Sequence, residues 1–197
     1  MDKDMVEGKY SSKNEDVVKP EPDWVFKLIS IIHDNPLLSI FRNPYKLLKA
    51  AGLKTGQKVL EVGCGPGFFT IPAAKIVGDE GVVYAIDIHP LAIKKVKEKV
   101  KKYRVTNVKP ILANASNTKL PSQSIDLAFI FGLHYVAGGL ENVISEMYRV
   151  LRTDGILAFE KTRGSEKEII KLIEEKGFVY LEKRGRILIF TRRKMKV

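Results

Sequence analysis

The chain reads as an α/β protein built on a doubly wound parallel sheet with helices on both faces, and three observations lead there. After Gly56, short apolar runs rich in β-branched residues alternate with segments of helical periodicity, the order that lays parallel strands side by side under crossover helices. The first apolar run, Val59-Leu60-Glu61-Val62, passes directly into Gly63-Cys64-Gly65-Pro66-Gly67 and then into a helix-like stretch. The second, Val82-Val83-Tyr84-Ala85-Ile86, ends on an acid, Asp87.

Taken in order, residues 1–20 are polar and charged, with little periodicity, and are expected to form a flexible leader or to order only over bound ligand. Residues 21–43 carry Trp24, Phe26, Leu28, Ile29, Ile31, Ile32, Leu37, Leu38, Ile40 and Phe41, the pattern of one or two amphipathic helices broken at Pro36. This segment is expected to form part of a lid. Asn43-Pro44 has the form of an N-cap followed by proline at the first helical position, opening a helix that ends at Gly52. Strands are expected near 58–62, 82–87, 108–112, 125–131 and 156–160. Helices are expected near 68–77, 90–103 and 139–151, with a short turn or helix around 117–120. A helix over about 165–176 stops at Gly177, and two β-rich runs, 178–183 and 186–191, are joined by Arg184-Gly185, a hairpin signal.

The glycine stretch carries the chemistry. Glycine reaches positive φ without strain and leaves bare main chain for a ligand to approach, while the helix that follows offers unpaired N–H groups. A dinucleotide fingerprint places glycines at the first, third and sixth positions, and the sixth position here is Phe68; the pattern is Glu-x-Gly-x-Gly-x-Gly. Asp87 stands about 20 residues further on, where a carboxylate at the carboxyl edge of a parallel sheet accepts from ribose hydroxyls. Its alternative role is that of a capping acid before Pro90.

Composition narrows the setting. With 197 residues and 45% apolar content, the chain supports one substantial core. One cysteine leaves no internal disulfide and fits a reducing, cytoplasmic environment. The longest apolar candidate, 24–41, is interrupted by Lys27, His33, Asp34, Asn35 and Pro36, so no transmembrane segment is expected. The net charge of +11 comes from two stretches: 91–109 contributes +7 and 182–197 contributes +6, while the rest of the chain is −2. In the first, Ile93, Val96, Val100 and Tyr103 form an apolar helical stripe, which leaves the lysines as its solvated back. Lysine enrichment with only two glutamines also fits a heat-adapted protein. A nucleic-acid or anionic-membrane footprint is the competing reading.

The motif Glu61-x-Gly63-x-Gly65-x-Gly67 resembles the first motif of class I S-adenosylmethionine (SAM) dependent methyltransferases. The likeness extends over roughly 44–197. Ser124 to Tyr135 is similar to the family's fourth strand and the loop beneath the cofactor, and Met147 to Leu157 to its turn into the fifth strand. The nearest branch is that of the ubiquinone and menaquinone biosynthesis methyltransferases, also described as methyltransferase type 11. The resemblance implies a Rossmann-like, seven-stranded, mostly parallel sheet whose terminal strand runs antiparallel, and SAM as cofactor with S-adenosylhomocysteine (SAH) as product. It places Glu61, Gly63, Cys64, Gly65 and Gly67 around the methionine portion, Asp87 on the ribose, Ile88 on the adenine and Asn114-Ala115 at the adenine edge. Many relatives carry an acid where Asn114 stands. Phe131, Gly132, Leu133 and His134 would line the space where donor and acceptor meet. His134 is either a general base, with an ordinary pKa near 6.5, or a packing group. Cys64 is expected to pack rather than to act as a nucleophile, and no metal set is expected.

Missing motifs restrict the acceptor. No Asp/Asn-Pro-Pro-Tyr follows the fourth strand, and no Pro-Cys nucleophile or Lys-Asp-Lys-Glu set is present. A small or lipid-like acceptor is the leading expectation, with nucleic acid not favoured. The alternatives are an RNA or protein methyltransferase using the basic surface, and a SAM-binding module without turnover. A nicotinamide oxidoreductase stands last, against Phe68 and the lack of a second domain.

Overall fold

The computed structural model describes residues 20, 22–35, 42–132, 139–162 and 164–193. Their chain order is α1 (Asp23–Asp34), α2 (Pro44–Ala51), β1 (Lys58–Val62), α3 (Thr70–Val77), β2 (Val82–Asp87), α4 (Pro90–Tyr103), β3 (Val108–Leu112), β4 (Ile125–Ile130), α5 (Leu140–Val150), β5 (Leu151–Glu160), α6 (Glu166–Glu175), β6 (Phe178–Arg184) and β7 (Ile187–Arg192). The seven strands form one sheet in the order β3-β2-β1-β4-β5-β7-β6. Strands β1 to β5 pair in parallel, and β7 runs antiparallel to both β5 and β6. The expected doubly wound sheet with an antiparallel terminal strand is therefore present.

Strand alternation supplies both cores. Successive residues of a strand point to opposite faces, and in β1 Val59 joins Leu48, Ala73, Val77 and Val96 on one face while Leu60 joins Ile144, Met147, Val150 and Ile173 on the other. Helices α2, α3 and α4 cover the first face, and α5 and α6 the second. Because both faces are buried, the central strands read as continuous apolar runs rather than alternating ones.

Local signals hold where the sequence places them. The Asn43 side chain accepts from Lys46 N–H at 3.1 Å, and Gly52 closes α2 in the left-handed region at φ 97°. Three differences have physical causes. Helix α3 starts at Thr70 rather than near 68, since Phe68 and Phe69 complete the turn that leaves Gly67. The turn or helix expected around 117–120 is a turn at 115–116, closed by the Asn117 N–H on the Asn114 carbonyl at 2.9 Å, after which Thr118 gives both its N–H (2.8 Å) and its hydroxyl (2.6 Å) to Glu146 of α5. Strand β5 begins at Leu151, five residues earlier than expected, pairing with Ile125 across an irregularity between Ile125 and Leu127. The expected break at Pro36 lies outside the described residues.

Candidate active site

The carboxyl ends of β3, β2 and β1 sit side by side, and the order reverses between β1 and β4, the point at which a doubly wound sheet opens a crevice for ligands. At the end of β1 the chain turns through Gly63, Gly65 and Gly67, with φ of 69°, 50° and 81°. L side chains rarely adopt these values. The N–H groups of Gly63 and Cys64 both donate to the Ile86 carbonyl at 2.9 Å, which ties the loop to β2. A Cβ at Gly67 would come within 3.2 Å of Val96 on α4, so this glycine brings loop and helix together. A Cβ at Gly65 would meet nothing within 4 Å. The loop thus borders open space on the side where main chain is bare.

Asp87 faces the same loop. Its Oδ2 accepts from Gly65 N–H at 2.9 Å and its Oδ1 from His89 N–H at 2.8 Å. Burial pushes its carboxyl above the usual range, against the opposing pull of those N–H donors. Each oxygen retains a lone pair for a further donor. The capping alternative falls elsewhere: His89 caps α4, its Nδ1 accepting from Leu91 N–H at 3.2 Å.

Glu61, on β1 behind the glycines, is 2% exposed and accepts from Thr70 Oγ1 at 2.6 Å. Burial raises its carboxyl to about 8, helped by the charge of Asp87 and opposed by the Thr70 hydroxyl and Lys99. A cation reaching this spot would draw the proton off. The thiol of Cys64 is buried, and desolvation with the charges of Glu61 and Asp87 pushes it well above its ordinary range. It is poorly suited to attack as a thiolate.

The remaining expected positions divide. Ile88 and Ala115 are half-buried at the ends of β2 and β3. Asn114 is half-buried, and its side-chain oxygen accepts from Ser116 N–H at 3.0 Å. Phe131 is buried in an aromatic cluster, 5.3 Å from Phe69 and 5.0 Å from Phe129 between ring centres. Leu133 and His134 lie outside the described residues.

Two groups escaped the sequence reading. Glu160, buried at the end of β5, accepts from Gly132 N–H at 2.9 Å and pairs with Arg42, whose guanidinium lies 5.1 Å from the centre of the Phe69 ring. Thr70 is the hydroxyl that holds Glu61. The apolar runs around these residues marked a strand and a helix but gave no signal for partners 118 and 9 residues apart. Among the described residues, no three His, Cys, Asp or Glu side chains gather as a metal requires.

Comparisons with known proteins bear on this geometry. The family described as "Methyltransferase domain" matches residues 53–190. The demethylmenaquinone methyltransferase of Geobacillus stearothermophilus is 37% identical over 139 residues, covering 67% of this chain and 58% of that protein. That of Listeria welshimeri is 38% identical over 112 residues, covering 56% and 47%. The chain spans about half the length of the curated relatives it matches. A crystal structure of a SAM-dependent methyltransferase from Aquifex aeolicus superposes with a TM-score of 0.72 at 28% identity, covering 88% of this chain and 97% of that one.

Proposed function

The chain belongs to the methyltransferase domain family and is a class I SAM-dependent methyltransferase, and from that premise we propose that it methylates a small quinone-like acceptor of the demethylmenaquinone kind. The observation that carries the cofactor half is the open space at Gly65 beside the Asp87 carboxylate. Such a cradle fits an adenosine-bearing ligand: bare main chain for the linkage, an acid for ribose hydroxyls, and Ile88 and Ala115 as apolar contacts for a base.

When bound, SAM supplies a methyl group already activated on a sulfonium sulfur. The chain has then to align an acceptor and exclude water. The main chain at Gly63, Gly65 and Gly67 would hold the methionine portion, Asp87 would accept from the ribose, and the Asn114 amide would meet the adenine edge. Glu61, deprotonated on contact with a cation, would secure the amino group. His134 is the proposed group for taking a proton from the acceptor. Support for a quinone comes from the names of the relatives.

The strand order argues against the RNA reading. Helix α4, with the first basic stretch, packs on β3 and β2 at one end of the sheet, while the described part of the second stretch, residues 182–193, belongs to the β6–β7 end. Calorimetry with SAH tests the cofactor site: micromolar binding is expected, weakened at least about a hundredfold in Asp87→Ala through loss of charge-assisted hydrogen bonds. Folded wild-type protein that binds no SAH would refute the assignment of the site. SAH formation with a demethylated naphthoquinone, reduced in His134→Ala at unchanged SAH affinity, tests the acceptor and the base.

A further inference from the structure

Helix α1 is turned the wrong way round for a surface helix. A helix packed on a globular core normally buries its apolar stripe and shows polar residues to solvent. Here Phe26, Ser30 and His33 face the body of the protein, two of the three polar, while Trp24, Leu28, Ile31 and Ile32 are 69%, 53%, 70% and 51% exposed. At 100° per residue these four fall within one arc on the outward side.

The helix occupies a particular place. The Phe26 ring is 4.6 Å from that of His89 at the start of α4, and the His33 ring is 5.5 Å from that of Phe68, just past the glycines. Helix α1 therefore runs across the carboxyl edge of the sheet, from the β2–α4 turn to the β1–α3 loop, with its apolar face pointing away from the cofactor crevice. Beside it, residues 90–104 carry seven Lys or Arg against one Glu. Lys94 and Lys97, about one and two turns along α4 from His89, are exposed and line a groove with Pro90 and Leu112 on the β3 side of α4, the side away from Val96 and Lys99 at the glycine loop. The opposing charges nearby are Glu98 in the groove and Asp23 at the start of α1.

We propose that the outer face of α1, with the lysines of α4, seats this enzyme on an anionic lipid surface, with α1 lying between the bilayer and the cofactor crevice. An apolar stripe carrying a tryptophan, flanked by clustered lysines, supplies the two signals that stable interfacial binding needs, burial at the acyl boundary and attraction to acidic headgroups. Twelve residues are too few to cross a bilayer, so the helix lies in the interface. A second copy of the chain is a worse occupant, because a symmetric contact would set the basic α4 helices of two protomers against one another. The proposal stands on α1 and α4 and extends the acceptor reading, since an amphiphilic quinone would be met where it partitions.

Trp24 is the sole tryptophan, so its emission reports this face directly. The full chain is titrated with neutral phosphatidylcholine vesicles and with vesicles containing roughly one-third phosphatidylglycerol, at low and high salt, with flotation and sedimentation measured in parallel. A blue shift and co-flotation that need the anionic lipid and weaken with salt are expected. Leu28→Ser with Ile31→Ser should weaken partitioning at least about tenfold, and Lys94→Glu with Lys97→Glu should abolish the preference for anionic lipid; SAH affinity and melting temperature hold in both. Absence of any lipid-dependent shift overturns the proposal. So does a shift that follows protein concentration without lipid, together with a dimer mass. The SAH titration on the same sample keeps a failure here distinct from a failure of the cofactor site.

Discussion

Glu61 couples the cofactor site to protons. An unfolded chain gives this carboxyl its ordinary value near 4.5, and burial raises it to about 8 in the folded protein. The folded state then binds the proton more tightly, so the stability linked to it is complete below about 4.5 and is lost progressively as pH rises through 8. Glu61→Gln keeps the shape and removes the titration. Its melting temperature is expected to exceed that of the unliganded wild type by several degrees at pH 8 and to match it at pH 4.5, read by calorimetry across pH. The same carboxyl must ionise to meet a cation, so wild-type SAM binding should release up to one proton at pH 7, measured from the dependence of the calorimetric heat on buffer ionisation enthalpy. In Glu61→Gln that release disappears. The reactive geometry at this scale was half legible: the glycines and Asp87 are spaced motifs, whereas Thr70 as the partner of Glu61 depends on how α3 leaves the loop. Glu160 as the anchor of Gly132 depends on two strands whose pairing no local pattern reveals.

Helix α5 holds the loop that follows β3. Glu146 accepts from the Thr118 N–H and hydroxyl and from Arg149 Nε and Nη2, both at 2.7 Å, while Arg149 Nη2 also donates to the Leu120 carbonyl. Burial alone would raise the Glu146 carboxyl, but the Arg149 and Thr118 donors outweigh it and hold it below the usual range. Its contribution is present above about 4.5, the ordinary carboxylate value, and is lost as pH falls through the lowered value. Glu146→Ala is expected to cost about 2–3 kcal/mol in urea unfolding at neutral pH, because Thr118 N–H and Arg149 lose their acceptor, with a smaller penalty in acid. Glu160→Ala should likewise cost about 2 kcal/mol, stranding Gly132 N–H and Arg42 at the end of β5. Element by element, sequence patterning located every described strand, because buried parallel strands are continuous apolar runs between glycine or proline signals. It erred where a tertiary partner decided the outcome: pairing with Ile125 draws β5 back to Leu151.

At the scale of the whole molecule, the strand order sends the two basic stretches to opposite ends of one sheet. Binding to a structured RNA is therefore expected to be weak and nonspecific, with a shallow log–log salt slope corresponding to only a few phosphate contacts. Filter binding at several salt concentrations reads it directly, and a steep slope with nanomolar affinity would reverse the reading. Charge totals were legible in the sequence, but their placement required the topology.

That same strand order sets a timetable for synthesis. Strands β3, β2 and β1 are neighbours in space and emerge from the ribosome together, carrying the glycines, Glu61, Asp87 and Asn114. The other edge of β1 waits for β4: Val59 pairs with Leu127, 68 residues later. At about 5–20 residues per second this is an interval of roughly 3–14 s, during which the edge of a strand carrying Val59, Leu60 and Val62 presents open N–H and C=O groups to the cell. The nascent half-sheet is thus the stage most exposed to chaperones and to aggregation, and slow codons between residues 90 and 125 would lower the yield of this protein without altering a single contact in its finished form.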